Sequence, residues 1–209
     1  MEKYKRKLYL VRHGQTYNNI EGLTYEYDSG LTDLGVKHSV EISNFFNENI
    51  QLIIHSGMKR TIKTACFTKK RFPDAKILEW NVGEFDYLGE KDSMIINRER
   101  RKYDKDIFWK LADSYYKFNK QAESFDDFLG RIESFVHEVI NCDTDTIVVF
   151  THKYFLKGVL WNVMMKNRTN YYSVKDFYRF CDLYEVNNAD IIPCLINENK
   201  ISFGAIKTI

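Results

Sequence analysis

The sequence predicts an α/β fold: a three-layer α/β/α sandwich with a mostly parallel central sheet and a helical lid insertion. Three observations carry that expectation. Short apolar runs at residues 7–11 (KLYLV), 52–54 and 146–150 (TIVVF) each stop abruptly, at Arg12-His13-Gly14, His55-Ser56-Gly57 and Thr151-His152. Helix-period segments separate them, at residues 34–46, 58–68 and 125–140. Apolar runs without alternation suit strands buried on both faces, as in a parallel sheet covered by helices.

Taken in order, residues 7–11 read as a buried strand ending in a functional loop. Residues 34–46 read as a helix, 52–54 as a second strand, and 58–68 as a second helix. Residues 89–121 are highly charged and carry Trp109, Tyr115 and Tyr116. They fit two or three amphipathic helices forming a lid. The clearest helix follows, with Phe125, Phe128, Leu129, Ile132, Phe135, Val136, Val139 and Ile140 on one face and Ser124 and Asp127 placed to cap it. After the strand at 146–150, residues 183–186, 191–196 and 201–206 read as edge strands, with turns at 187–188 and 197–199.

Composition narrows the function. Residues 1–209 read as one domain, long enough to bury a full core without metal or disulfide staples. Thirty-one Lys and Arg stand against 29 Asp and Glu, so no general excess of positive charge attracts nucleic acid or a membrane surface. The longest apolar runs are a few residues, far short of a membrane span or a secretory signal, which points to a cytoplasmic protein. Cys66, Cys142, Cys181 and Cys194 are widely spaced and suggest neither a zinc cluster nor a disulfide framework. No signal for an oligomeric state is legible.

In a parallel sheet, ligands bind beyond the carboxyl ends of the strands, where the three runs deliver their polar residues. Arg12 places a guanidinium beside His13, on a turn whose Gly14 lets the backbone approach a ligand. Arg60 falls in the first turns of a helix opening at the same rim. Together with that helix N-terminus, the two arginines favour an anion, and their forked geometry suits phosphate. A histidine between two arginines is pushed towards its neutral, nucleophilic form. His152 meets the same anion from a second strand. Glu79, after Ile77-Leu78, is the carboxyl best placed to protonate a departing oxygen.

These motifs resemble the phosphoglycerate-mutase-like branch of the histidine phosphatase superfamily. Leu10-Val11-Arg12-His13-Gly14-Gln15-Thr16 with Asn19 is similar to its L-V-R-H-G-[EQ]-T-x-x-N signature. Leu31-Thr32-x-x-Gly35, Ser56-Gly57-Met58-Lys59-Arg60-Thr61-x-x-Thr64-Ala65, Leu78-Glu79-x-x-x-Gly83-Glu84-Phe85-Asp86, Glu123-Ser124 with Arg131, and Val148-Val149-Phe150-Thr151-His152 follow in the family's order. The resemblance implies a phosphohistidine on His13 and a general acid, later a base, at Glu79. It also implies phosphoryl contacts from Arg12, Arg60 and His152, and substrate contacts from Gly14, Thr16 and Asn19. It implies a small phosphate ester as substrate and neither metal nor other cofactor.

Three departures stand out. Gly57 replaces the family's proline, at a turn expected to tolerate it. Lys153-Tyr154 replaces small residues, usually glycine, after the second histidine, so Lys153 either contacts substrate or is a surface lysine. Val82 stands where the true mutases carry tyrosine, and the lid is shorter than theirs; both favour a hydrolase. A phosphoglycerate mutase and a non-catalytic phospho-ligand binder remain the alternatives. His38, His55 and His137 read as packed or surface histidines, and a metal bound by His13, His55 and His152 is disfavoured by the arginines beside them. The basic stretch at residues 97–105 reads as a solvated helix face rather than a substrate clamp.

Overall fold

A computed structural model of the chain describes residues 6–20, 25–90 and 97–209. Six strands form one sheet in the order β3-β2-β4-β1-β5-β6. They are β1 (Arg6–Arg12), β2 (Leu52–His55), β3 (Lys76–Glu79), β4 (Thr146–Thr151), β5 (Ile191–Asn197) and β6 (Lys200–Phe203). The first four run parallel, whereas β5 is antiparallel to β1 and β6 to β5.

The helices are α1 (Asp33–Phe45), α2 (Lys59–Arg71), α3 (Arg98–Leu111), α4 (Phe125–Asn141), α5 (Lys153–Met165) and α6 (Val174–Leu183). Alternate strand residues feed two cores, as the two-residue strand period requires. Leu8, Leu10, Ile54, Ile147 and Val149 pack with α3, α4, α5 and α6 on one face, through Trp109, Phe128, Phe155 and Phe177. Tyr9, Val11, Ile53, Val148 and Phe150 pack on the other face with Ile42 and Phe46 from the first helix region and Ala65 of α2. The continuous apolar runs therefore have the predicted cause, burial on both sides.

Local chemistry sets the helix boundaries. The Ser124 hydroxyl accepts from Asp127 N at 3.1 Å while Asp127 returns an acceptor to Ser124 N at 3.0 Å, the capping box expected for α4. Thr32 caps α1 by accepting from Gly35 N at 3.0 Å. Three expectations fail. Residues 183–186 are not a strand: Leu183 ends α6, whose apolar face of Val174, Phe177, Phe180 and Cys181 the linear reading missed. The described part of the lid holds one helix, α3, followed by turns, because residues 112–124 close through short side-chain-to-backbone bonds such as Asn119 Oδ1 with Gln121 N and Ala122 N. The basic stretch is two-sided, with Arg100 and Lys102 exposed and Arg101 and Lys105 turned inward.

The strand register levels the rim. Arg12 pairs with Thr151, and His55 pairs with both Glu79 and Phe150. Four parallel strands thus end side by side, and the residues that follow them converge.

Candidate active site

His13 leaves β1 with its backbone tied on both sides. Its amide donates to Thr151 O at 3.0 Å, and its carbonyl accepts from Ala189 N and Asn188 Nδ2, each at 3.2 Å. The ring lies with Nδ1 2.8 Å from the Gly14 carbonyl. A carbonyl can only accept, so Nδ1 carries the proton and Nε2 keeps its lone pair. The residue is 6% exposed. Burial lowers its pKa well below the ordinary histidine value, and the Arg60 and Arg12 charges lower it further. The sequence had placed the arginines first; desolvation is the larger cause.

His152 is fully buried at the N-cap of α5. Arg60 Nε donates to its Nδ1 at 3.2 Å, which leaves the proton on Nε2, 2.7 Å from Ser56 Oγ. Ser56 Oγ lies 2.9 Å from Thr61 Oγ1, which donates to Met58 O at 2.8 Å. One directed chain therefore runs from Arg60 through His152 and Ser56 into the turn before α2. Burial and the Arg60 charge hold His152 well below its ordinary pKa. The His13 and His152 rings are 5.2 Å apart, centre to centre, at 62°.

Arg12 and Arg60 are each anchored by a backbone carbonyl. Arg12 Nη1 donates to Val186 O at 2.8 Å, and its buried Nε meets no acceptor among the described residues. Arg60 Nη1 donates to Tyr27 O at 2.9 Å, with Asp28 3.9 Å away. Thr64 Oγ1 accepts from Gly14 N at 3.1 Å and donates to Arg60 O at 2.7 Å, so α2 and the His13 turn share one hydroxyl.

Two glycines set the approach of the His13 turn to α1. A Cβ on Gly14 would lie 2.5 Å from Gly35 O, and one on Gly35 would lie 2.0 Å from Gln15 O. The glycine of Leu31-Thr32-x-x-Gly35 is thus a steric partner of the Arg-His-Gly turn. Thr16 and Asn19 act on that turn too: Asn19 Oδ1 accepts from Thr16 N and Thr16 Oγ1, both at 2.9 Å.

Glu79 ends β3 with its carboxylate over Gly57, where a Cβ would come within 2.6 Å of Oε1. Gly57 has φ of +79°, which proline cannot adopt. The departure from proline therefore changes the backbone itself and opens room for the acid. Glu79, Glu84, Asp28, Tyr27, Ser56 and Arg131 line a cleft of about 530 Å³. Glu84 is committed elsewhere: its Oε1 accepts from Tyr154 N at 2.8 Å and Phe85 N at 3.2 Å. Arg131 holds Glu123 with two bonds of 2.8 Å. His55 is tied locally, accepting from Gly57 N at 3.1 Å.

The linear reading missed several supports of the site. Ser56, Thr61 and Thr64 stood inside a quoted motif without a role, and a hydroxyl beside an arginine is a weak but readable signal. Tyr27, Val186 and Asn188 carried no signal, because they reach the site by long-range folding.

Residues 8–184 match the histidine phosphatase superfamily (branch 1), and the chain belongs to that superfamily. Among curated relatives, it is 28% identical over 158 residues to 6-phosphofructo-2-kinase/fructose-2,6-bisphosphatase 3 of Homo sapiens. That match takes in 74% of this chain but spans 29% of the length of the relative. Among solved structures, the α-ribazole phosphatase from Shigella flexneri superposes with a TM-score of 0.75 at 16% identity, covering 97% of this chain and 96% of the other. Phosphoserine phosphatase from Entamoeba histolytica, in complex with 3-phosphoglyceric acid, gives 0.72 at 17% identity with 97% of both chains covered. These two likenesses concern the fold.

Proposed function

We infer that the protein is a phosphomonoesterase hydrolysing a small phosphorylated metabolite through a phosphohistidine on His13. The observation that carries this reading is the state of His13: neutral, buried, flanked by two guanidinium groups, with Nδ1 pinned and Nε2 left as the nucleophile. Arg12, whose buried Nε has no acceptor among the described residues, supports the reading from the phosphate's side, since a phosphoryl oxygen would complete it.

In the first half-reaction the Nε2 lone pair attacks phosphorus, the ester P–O bond breaks, and Glu79 gives its proton to the leaving oxygen. Arg12 and Arg60 hold the phosphoryl oxygens while charge moves across them, and His152 joins them when its Nε2–H turns from Ser56 Oγ to the phosphate. In the second, the Glu79 carboxylate takes a proton from water, the water oxygen attacks phosphorus, and the P–N bond breaks to restore His13. Glu79 suits both steps because no other described residue donates a hydrogen bond to its carboxylate, unlike Glu84.

The test is a quench experiment. Mixing with labelled substrate and quenching in alkali should trap a phosphoprotein that acid destroys, and His13→Ala should abolish both the label and phosphate release. A label surviving acid, or persisting in His13→Ala, would place the intermediate elsewhere. Release of inorganic phosphate, with no product carrying the group on a second hydroxyl, separates this reading from a mutase.

A further inference from the structure

We propose that Asp190 is a counter-charge to Arg12 that weakens the site's hold on inorganic phosphate and so eases its release. This extends the phosphatase reading and rests on it.

The pairing follows from strand register. β1 and β5 run antiparallel, with Leu10 opposite Ile192 and Val11 opposite Ile191. One step further the Arg12 amide donates to Asp190 O at 3.0 Å, so these two residues are the next opposed pair. Opposed residues of an antiparallel ladder present their side chains to the same face. Leu8 and Leu10 on β1, and Ile192 and Cys194 on β5, all enter one core, and Arg12 and Asp190 continue those two rows at the rim.

Asp190 is 1% exposed. Its Oδ2 accepts from Asn187 N at 2.6 Å, closing the turn whose Ala189 N and Asn188 Nδ2 hold the His13 carbonyl. Val186 O, from the same segment, anchors Arg12 Nη1. Asp190 Oδ1 and Arg12 Nε are both buried without a hydrogen-bond partner among the described residues, so the two side chains share a face of the sheet without bonding there.

The turn explains an acceptor at position 190 but not a charge. An amide oxygen would serve Asn187 N equally, whereas a carboxylate taken out of water with one hydrogen bond is costly unless a cation is near. Arg12 does not need that carboxylate in order to be charged, since a guanidinium keeps its proton in proteins. Burial is the largest influence on Arg12 and lowers its pKa; Glu84 and Asp190 act in the opposite sense, and Arg60 acts with burial. Glu84 is occupied by Tyr154 N and Phe85 N. What the Asp190 charge changes is the ligand, because a phosphate on Arg12 lies in the field of a carboxylate that repels it. Two guanidinium groups attract the ester and the product phosphate alike, and a fixed negative charge beside one of them lowers the affinity that product release must overcome.

Inorganic phosphate is the probe, because its binding needs no turnover. Asp190→Asn keeps an acceptor for Asn187 N and removes the charge. By calorimetry it should bind phosphate about fivefold more tightly or better, the scale of one unit charge acting across several ångströms of protein. In steady state the Ki for product phosphate should fall by the same factor. Asp190→Ser, smaller but also an uncharged oxygen acceptor, should repeat the result. A residue that only supported the turn would do the reverse, since its replacement would loosen the site and weaken phosphate binding. Unchanged or weaker binding in whichever variant folds, judged by a cooperative urea transition, overturns the proposal. If the protein hydrolyses no ester yet Asp190→Asn tightens phosphate, the counter-charge stands and the catalytic reading falls. Hydrolysis with unaltered phosphate affinity keeps the catalytic reading and removes the counter-charge, and a wild type that binds no phosphate overturns both.

Discussion

His13 and His152 have the same protonation state for different reasons. In His13 a backbone carbonyl fixes the proton on Nδ1; in His152 an arginine donor fixes it on Nε2. Both have folded-state pKa values below the unfolded value of about 6.5. The unfolded chain therefore binds more protons below that pH, and the stability present above it is lost as pH falls towards the folded values. Denaturant titrations between pH 7 and 5 should show that loss, and His13→Asn or His152→Asn should flatten it by up to about 1.4 kcal/mol per pH unit for each histidine. Slopes identical to wild type would mean the rings are protonated in the fold. Glu79 is the other test at this scale. Glu79→Gln should slow an alkyl phosphate by about 10²- to 10⁴-fold, since an alkoxide must be protonated as it leaves. The pre-steady-state burst from p-nitrophenyl phosphate should suffer far less, because p-nitrophenolate departs unaided. Equal damage to both would pass the acid role to Glu84.

At the scale of elements, the contact between the His13 turn and α1 is set by two glycines with no room for a methyl group. Gly35→Ala would drive its Cβ to 2.0 Å from Gln15 O, so the helix must move and the turn with it. A loss of roughly 1–3 kcal/mol or more is expected, the cost of overpacking. Gly130, exposed on α4, has nothing within 4 Å of its would-be Cβ. Gly130→Ala should instead stabilise by roughly 0.5–1 kcal/mol, by restoring helix propensity. Urea titrations of the two variants should therefore move in opposite directions, and movement in the same direction would refute the steric account. A fall in phosphate release with Gly35→Ala would add that the contact also aims His13.

For the whole molecule, the four level carboxyl ends of β1, β2, β3 and β4 bring two arginines and two histidines to one place, and α3 docks on Tyr154 and Tyr178 through Trp109. On the proposed phosphatase reading, Arg12 and Arg60 supply the positive field that a divalent ion supplies in other phosphoryl-transfer sites. Activity should therefore survive exhaustive chelation. Loss in chelator, restored by one particular divalent ion, would show that the guanidinium groups do not suffice.

The sequence by itself determined most of the sheet, the helices α1, α2 and α4 and the candidate reacting groups, whereas β3 and α5 were not read from it. Strands buried on both faces must be apolar throughout, and the polar residues ending them must lie at one rim. Glycine and capping motifs mark places where sterics and orphan amides leave few choices, as at Gly14, Thr32 and Ser124. Tertiary structure alone decided what those groups do to one another. The Arg60–His152–Ser56 chain, the glycine under Glu79 and the packing of Trp109 on Tyr154 join residues tens of positions apart. Their pairing depends on how helices pack, which no local pattern encodes. The same limit explains the errors: α6 is short, with an apolar face that is complete only against Trp109 and Trp161, and the inward side of α3 is set by Tyr154 rather than by its own charge pattern.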